Sequence, residues 1–151
     1  MEMQPGLTAI ETHTIQGKDL ATHWGSEMPV LASPVLIGLF ELACVKATDH
    51  LLESTHTTVG VGFDVMHISP TPIGSEVQVT ASLEAVEGSK LTFHVEAYDA
   101  DGLISTGVLH RAVVKKETFL ERVDKKLKRR VSNRVEAMAP AMQPARKEKQ
   151  A

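Results

Sequence analysis

The stretch SPVLIGLFELACVKATDHLLE, residues 33–53, decides the fold. Ser33 followed by Pro34 is typical of a helix start, because a serine hydroxyl can cap a free N–H group and proline at the first helical position loses no hydrogen bond. From residue 35 to residue 47, apolar side chains then surround the helix axis almost completely. A helix that is apolar on all sides must be enclosed by other structure. The sequence therefore predicts one central, buried helix.

Four segments with the pattern of strands follow this helix. They cover residues 58–68, 76–87, 90–98 and 103–116. In the second and third segments apolar and polar residues alternate, as in a sheet with one buried face. Short turns separate the last three segments, so the sequence predicts that the four strands pair antiparallel in chain order, as a meander. A weaker alternation at residues 7–15 predicts an edge strand, and residues 16–29 are expected to form mainly a loop.

Together these elements predict an α+β fold of the hot-dog type, in which a curved antiparallel sheet wraps one long central helix. A single sheet around one helix leaves an outer strand edge without a partner, and proteins usually cover such edges. A homodimer with a continuous sheet would cover this edge. The sequence pattern therefore favours a dimer as well as a fold.

A different kind of segment follows the sheet. We expect residues 1–116 to form the hot-dog domain, residues 117–138 an amphipathic basic helix, and residues 139–151 a disordered tail that Pro140 and Pro144 keep from being helical. Residues 115–151 carry 12 basic and 5 acidic side chains, a net charge of +7, whereas residues 1–114 carry 4 and 14, a net charge of -10. A basic helix can attract anionic partners, but it is more often a solvated face.

Composition excludes several classes of protein. Apolar residues make up 42% and charged residues 23% of the 151, which are ordinary globular values. Cys44 is the only cysteine, so neither an intrachain disulfide nor a cysteine zinc cluster is expected, and we interpret it as a buried small hydrophobe. The chain has no GxSxG, Walker or GxGxxG motif, no signal-peptide pattern and no apolar run of membrane-spanning length. We expect a cytoplasmic protein that binds neither membrane nor nucleic acid.

Two polar residues stand out against this background. Glu41 lies between Phe40 and Leu42 on the buried helix, where an ionised carboxylate is costly unless it is paired. Gly38, three residues earlier, leaves room for a close approach, which favours a functional role for Glu41. The alternative is that Glu41 forms a salt bridge within a dimer or reaches water, and that Gly38 only permits tight packing. His67 ends the first strand of the sheet next to a loop, where functional side chains are common, although a lone histidine is more often structural.

Three segments resemble one family of proteins, in chain order. VLASPVLIGLFELACVKA (residues 30–47), GVGFDVMHISPTPIG (60–74) and LHRAVVKKETF (109–119) are similar to the fluoroacetyl-CoA thioesterase-like group of hot-dog proteins. The resemblance implies a homodimer, or a higher oligomer, that hydrolyses a small acyl-CoA thioester at sites on the subunit interface. It implies no metal, and no cofactor beyond the coenzyme A of the substrate.

The resemblance also implies which residues are catalytic. The family's hydroxyl residue before the helix, its glutamate on the helix and its histidine at the strand end match Ser33, Glu41 and His67. We expect Glu41 to attack the carbonyl or to activate water, His67 to transfer the proton, and Ser33 to orient His67 or bind the carbonyl oxygen. Ser33 and Glu41 are about 12 Å apart along a helix, so we expect one of them to come from the partner subunit unless Ser33 folds back before the helix begins.

Three further residues are expected to bind substrate. Gly60 matches a glycine near the start of the family's strand, and Arg111 matches an arginine on its last strand. Residues 24–29, WGSEMP, replace the phenylalanines that form a lid in the fluoroacetyl-specific enzyme, so Trp24 is the aromatic residue expected at the substrate. The alternative is a non-catalytic hot-dog dimer that binds an acyl-CoA, or that binds a protein or nucleic acid through its basic C-terminal helix.

Overall fold

The structure, a computed structural model, describes residues 2–139. Its elements, in chain order, are β1 (Thr8–Thr14), α1 (Ser33–Thr48), β2 (His56–His67), β3 (Glu76–Glu87), β4 (Lys90–Asp99), β5 (Gly102–Lys115) and α2 (Lys116–Met138). Two 3-10 turns, Gly17–Asp19 and Ala21–Trp24, lie between β1 and α1, and a third, Asp49–Leu51, follows α1. The chain divides after Val114 into two compact units. The predicted tail beyond Ala139 lies outside the described residues.

The apolar helix α1 packs against β1, β2 and β3. One face of the helix forms the centre of the core, with Leu36, Leu39, Phe40, Ala43, Cys44 and Ala47 buried. Full burial of one such aliphatic or aromatic side chain contributes about 1.5–3 kcal/mol. The opposite face is open in the single chain, because Leu42 keeps 55% of its surface exposed. The sheet of one chain thus covers only part of the helix.

Five strands form one sheet in the order β1-β3-β4-β5-β2. The predicted edge strand is confirmed as β1, which pairs antiparallel with β3, and β3, β4 and β5 form an antiparallel meander. The expectation that β2 would join this meander beside β3 is wrong, because β2 lies next to β5 at the opposite edge. The link between β2 and β3, residues 68–75, has eight residues and two prolines. It is too long for a tight hairpin, so the chain can cross to the other edge.

The predicted alternation decides which residues of the sheet meet α1. Every second residue of the two central strands is buried: Val77, Val79, Ala81 and Leu83 on β3, and Leu91, Phe93, Val95 and Ala97 on β4. The residues between them are exposed or half-buried. A slip of one residue in register would expose the whole apolar set, so the register is strongly determined.

The second unit contains the helix α2, as the sequence predicts. Its apolar residues recur at helical spacing and are exposed: Leu120, Val123, Leu127, Val131, Val135 and Met138. No helix within residues 2–139 is long and apolar enough to cross a membrane.

One glycine allows β5 and β2 to lie side by side. A Cβ added to Gly107 would collide with the Asp64 carbonyl oxygen and lie 2.7 Å from Val65 Cα, both on the β2 backbone. Backbone atoms cannot move aside as a flexible side chain can, so the substitution must shift a strand.

We therefore expect Gly107→Ala to lower the free energy of unfolding by about 1–3 kcal/mol, the usual cost of overpacking. Thermal and urea unfolding measure the change. Gly17→Ala is the matched control, because a Cβ at Gly17 meets no atom within 4 Å. Equal stability of the two variants would contradict the close approach of β5 and β2.

Candidate active site

The structure brings two of the predicted site residues together. Ser33 is the first residue of α1 and His67 is the last residue of β2, and Ser33 Oγ lies 2.8 Å from His67 Nδ1, in a hydrogen bond. The prediction that Ser33 is the N-cap of the helix is wrong. Ala32 occupies the N-cap, and no side chain caps this helix. The physical reason is that the Ser33 hydroxyl bonds to the imidazole instead of a helix N–H.

Hydrogen bonds to β5 hold the chain directly before and after His67. The backbone N–H groups of the two residues after His67 donate hydrogen bonds to the Ile104 carbonyl, at 2.8 and 3.2 Å. Before His67, the Met66 carbonyl accepts a hydrogen bond from the Ser105 hydroxyl at 2.8 Å. These bonds tie the end of β2 to β5. The imidazole is therefore placed by backbone geometry as well as by Ser33.

His67 is a neutral base with one free ring nitrogen. Burial lowers the pKa of the imidazole below its ordinary value, although a backbone hydrogen bond at Ser69 opposes that shift. Among the described residues, His67 Nε2 has no hydrogen-bond partner although it is buried. A neutral imidazole has one donor and one acceptor nitrogen, so Nε2 is free to give or take a proton. An orphaned buried nitrogen is costly, and a substrate or water would satisfy it.

A cavity of about 300 Å³ opens beside this pair. Its lining combines both polar residues with apolar ones: Ala21, Val30, Leu31, Ser33, His67, Ile68, Ser69 and Pro70. Cavities with apolar walls and a few convergent polar groups are typical of small-molecule sites. Trp24 lies in the same 3-10 turn as Ala21, and 61% of its surface is exposed.

Glu41 and Arg111 form a second cluster. Arg111 Nη1 donates to Glu41 Oε1 at 3.1 Å, and the two side chains are 6% and 37% exposed, respectively. Arg111 also donates from Nε to the Thr58 hydroxyl at 3.0 Å and from Nη2 to the Thr58 carbonyl at 2.9 Å. The guanidinium is therefore engaged inside the protein. It gives the half-buried Glu41 carboxylate the partner that such a charge needs.

Gly60 gives this carboxylate its space. A Cβ at Gly60 would collide with Glu41 Oε1 and lie 2.9 Å from the ring of Phe63 and 3.5 Å from Arg111 Nη1. Sequence reasoning singled out Gly60 but missed Thr58. Successive residues of a strand point to opposite faces, so Thr58 lies on the same face as Gly60, and this period-two spacing was the available signal.

The two clusters are separate within the chain. Ser33 and Glu41 both belong to α1 and are eight residues apart, about 12 Å along the helix axis. Among the side chains of residues 2–139, no hydrogen bond joins the Ser33–His67 pair to Glu41. The structure thus places two predicted catalytic residues beside the cavity and the third with Arg111.

Two other kinds of site, a reactive cysteine and a metal site, are not found among the described residues. Cys44 is buried, as predicted, and burial raises the pKa of its thiol to about 12, so that it stays protonated at neutral pH. Over residues 2–139, no three His, Cys, Asp or Glu side chains are grouped so that they could hold a metal ion.

A family model described as fluoroacetyl-CoA-specific thioesterase matches residues 15–117. The match contains both clusters and ends at the start of α2. The fluoroacetyl-CoA thioesterase of Streptantibioticus cattleyicolor is 39% identical over 102 residues, which cover 67% of this chain and 73% of that protein.

Solved structures agree with this match. A structure of the fluoroacetyl-CoA thioesterase FlK is similar over 83% of this chain and 98% of its own, with a TM-score of 0.78 and 32% identity. Further FlK structures are mutants in complex with acetyl-CoA and with fluoroacetate and CoA. A thioesterase superfamily member from Thermus thermophilus has a TM-score of 0.79 and 25% identity, over 87% of this chain and 98% of its own. The predicted hot-dog fold is confirmed.

The partial burial of the His67 imidazole leads to a prediction about its pKa. We expect His67 to titrate below the ordinary histidine value of 6.5, because burial disfavours its charged form. Since the pKa is lower in the folded than in the unfolded chain, the stability that His67 contributes is present above pH 6.5 and is lost as the pH falls through the folded pKa.

An NMR titration of the imidazole resonances measures this pKa. The His67 resonance is the one that disappears in His67→Ala, which separates it from the other six histidines. A value at or above 6.5 would contradict the buried, neutral imidazole.

Proposed function

The chain belongs to the fluoroacetyl-CoA-specific thioesterase family and is an acyl-CoA thioesterase, and we propose that it hydrolyses a small acyl-CoA thioester with Ser33, Glu41 and His67 as its catalytic residues. The observation that carries this assignment is the Ser33–His67 hydrogen bond beside a cavity, with His67 Nε2 buried and unpartnered among the described residues. Thioester hydrolysis needs a proton-transfer group of this kind next to the bound carbonyl.

In the proposed reaction, His67 moves the proton and Ser33 assists it. The oxygen of water forms a bond to the acyl carbon, the carbon–sulfur bond breaks, and the proton from water ends on the thiolate of coenzyme A. A neutral His67 can accept that proton at one stage and return it to the sulfur at the next. Ser33 holds the imidazole through Nδ1, or turns its hydroxyl to the carbonyl oxygen as negative charge develops.

Glu41 is proposed to act on the carbonyl side of the same reaction. In one route its carboxylate attacks the acyl carbon, the carbon–sulfur bond breaks, and the departing thiolate takes a proton from His67; water then hydrolyses the anhydride, returning its proton to His67 and releasing the acid and Glu41. In the other route Glu41 instead of His67 takes the proton of the attacking water, His67 gives its own proton to the thiolate, and the proton on Glu41 returns to His67 through solvent. The hydrogen bond from Arg111 limits the rotation of the carboxylate, which both routes need. We therefore propose Arg111 and Gly60 as the residues that position Glu41, since the Arg111 guanidinium is already bonded to Glu41 and Thr58.

A homodimer is proposed to complete the site. Large apolar side chains are exposed on the edge strand β2, directly after it, and on the open face of α1: Val61, Phe63 and Met66 on β2, Ile68 after it, and Leu42 on α1. Exposed apolar groups concentrated on neighbouring elements mark interaction surfaces. A second subunit on this surface would cover the β2 edge and bring the partner's Glu41 toward the Ser33–His67 pair. Within one chain, Ser33 and Glu41 are eight residues apart, about 12 Å along the helix, so the pair is distant from the Glu41 of its own chain.

The acyl group is proposed to be small. The proteins that match this chain are named for a two-carbon acyl group, fluoroacetyl, and the space beside Ser33 and His67 is about 300 Å³ and open to the surface. Specificity for fluoroacetyl is not part of the proposal, because residues 24–29, which the resemblance matches to a lid of phenylalanines, contain one aromatic residue, Trp24, and an acid, Glu27. Trp24 is proposed to contact the substrate from the cavity rim. The single unpaired thiol, Cys44, fits the cytoplasm as the proposed location.

Turnover of a panel of acyl-CoA thioesters, followed with a thiol reagent, tests the activity. We expect Glu41→Gln and His67→Ala each to remove most of the turnover, and the double variant to lose little more, because groups that act in one step are not additive. Folding of each variant is checked by circular dichroism. Full activity in Glu41→Gln would overturn both roles proposed for Glu41. Absence of turnover of every acyl-CoA by the wild-type protein would favour the alternative of a non-catalytic binding module.

The shared site has its own test. Mixing Ser33→Ala with Glu41→Gln under conditions of subunit exchange should restore part of the wild-type rate, because the heterodimer regains one site with all three residues intact. Mixing Ser33→Ala with His67→Ala is the matched control and should restore nothing, because these residues belong to the same half-site. With exchange confirmed by mass spectrometry, equal behaviour of the two mixtures would place all three residues in one chain's site.

A further inference from the structure

A buried carboxylate lies outside both clusters. Asp19 ends the 3-10 turn Gly17–Asp19 that follows β1, and only 5% of its surface is exposed. Aspartate is almost never this buried unless it is paired. The mechanism proposed above does not use this group, so its burial needs another explanation.

The side chain of Asp19 is held by two donors. Its Oδ2 accepts hydrogen bonds from His13 Nε2 at 2.7 Å and from the Gln16 backbone N–H at 2.8 Å. Burial on its own would raise the pKa of the Asp19 carboxyl, but the bonds from Gln16 and His13 outweigh burial and leave the pKa below its ordinary value. His13 belongs to β1, where it pairs with Val77 of β3. The carboxylate is thus fixed to the sheet.

The backbone of Asp19 connects this anchor to the active site. Its carbonyl accepts a hydrogen bond from the N–H of Ala32 at 2.9 Å, and Ala32 is the N-cap that directly precedes Ser33. The residues between them, 20–31, form a strap that starts and ends at this bond. Within the strap, the Ala21 N–H donates to the Val30 carbonyl at 2.8 Å, which closes the strap on itself.

The strap also forms one wall of the cavity. Three of its residues line the cavity that contains the catalytic pair: Ala21, Val30 and Leu31. A second anchor holds its far end, where the Leu31 N–H donates to the Thr71 carbonyl at 2.9 Å. Thr71 is fully buried, and its hydroxyl donates to the Asp99 carboxylate at 2.9 Å. Asp19 therefore supports both the wall of the cavity and the residue next to Ser33.

We propose that Asp19 is a positioning residue of the thioesterase: through its carboxylate on His13 and its carbonyl on Ala32, it fixes the strap and the start of α1, and so places Ser33 against His67. This role rests on the proposed function of Ser33 and His67. A small displacement of a catalytic group from its position beside the reacting atoms lowers the rate strongly, because reacting groups must be held within narrow distances. Asp19 acts through Ser33 and touches no substrate.

The chain contains a reporter for this role. Trp24 is its only tryptophan and lies within the strap, so fluorescence excited at wavelengths that Tyr98 does not absorb reports on the strap alone. Loss of the anchor should increase the local motion of the indole and lower its fluorescence anisotropy. This measurement does not depend on catalysis. It therefore separates a failure of this proposal from a failure of the proposed function.

The test compares two amide substitutions near β1. Asp19→Asn keeps the shape of the side chain but removes the charge that binds His13, and we expect it to lower kcat/KM about tenfold or more and to reduce Trp24 anisotropy. Glu11→Gln is the matched control. Glu11 lies on the same strand and pairs with Lys46 at 3.0 Å on the surface, outside the strap, so both readouts should remain at wild-type values.

A second variant keeps the test decisive if Asp19→Asn does not fold, as judged by circular dichroism. His13→Gln removes the partner of the Asp19 carboxylate and should lower both kcat/KM and Trp24 anisotropy, as Asp19→Asn does. The double variant should lose no more than either single one. Wild-type kcat/KM in Asp19→Asn, or loss of activity with unchanged Trp24 anisotropy, would overturn the proposal. If His67→Ala retained full turnover, the catalytic role proposed for His67 would be wrong, while the anisotropy of Asp19→Asn against Glu11→Gln would still decide whether Asp19 anchors the strap.

Discussion

A helix that is apolar on every side, and that its own chain can cover on only one, is the constraint on which this structure depends. The sheet buries the face of α1 that carries Phe40, and the face that carries Leu42 stays open. The same helix also carries Glu41, whose carboxylate is bonded to Arg111 of the same chain. The fold, the proposed subunit contact and the proposed chemistry thus depend on one element.

Charge enters the body of the protein only where hydrogen bonds surround it. Arg111 is buried with three bonds to Glu41 and Thr58, and Asp19 is buried with bonds from His13 and Gln16. Removing one partner of such a group leaves an uncompensated charge, which costs more than the bond itself contributes. Arg111 bonds directly to Glu41, and the Asp19 carbonyl bonds to Ala32, the residue before Ser33, so both buried charges are connected to residues with proposed catalytic roles.

Local patterns predicted the elements, and long-range contacts determined what the patterns missed. The apolar run after Pro34 predicted α1, and alternation predicted β3 and β4 with their buried faces. The strand order was wrong because a link of eight residues does not reveal which edge it reaches. Ser33 was expected to cap the helix, since capping is a local preference, whereas its partner His67 is 34 residues away. Thr58 and Asp19 were missed because their partners become visible only in the folded chain.

The close fit of Gly60 against Glu41 makes the two positions a matched pair. A Cβ at position 60 would lie too close to Glu41 Oε1 and 2.9 Å from the ring of Phe63, and both atoms are ends of side chains that can turn aside. Turning the carboxylate aside would pull it from Arg111 Nη1, which lies 3.1 Å from it. A relative with a larger residue at position 60 is therefore expected to hold its acid in a different orientation.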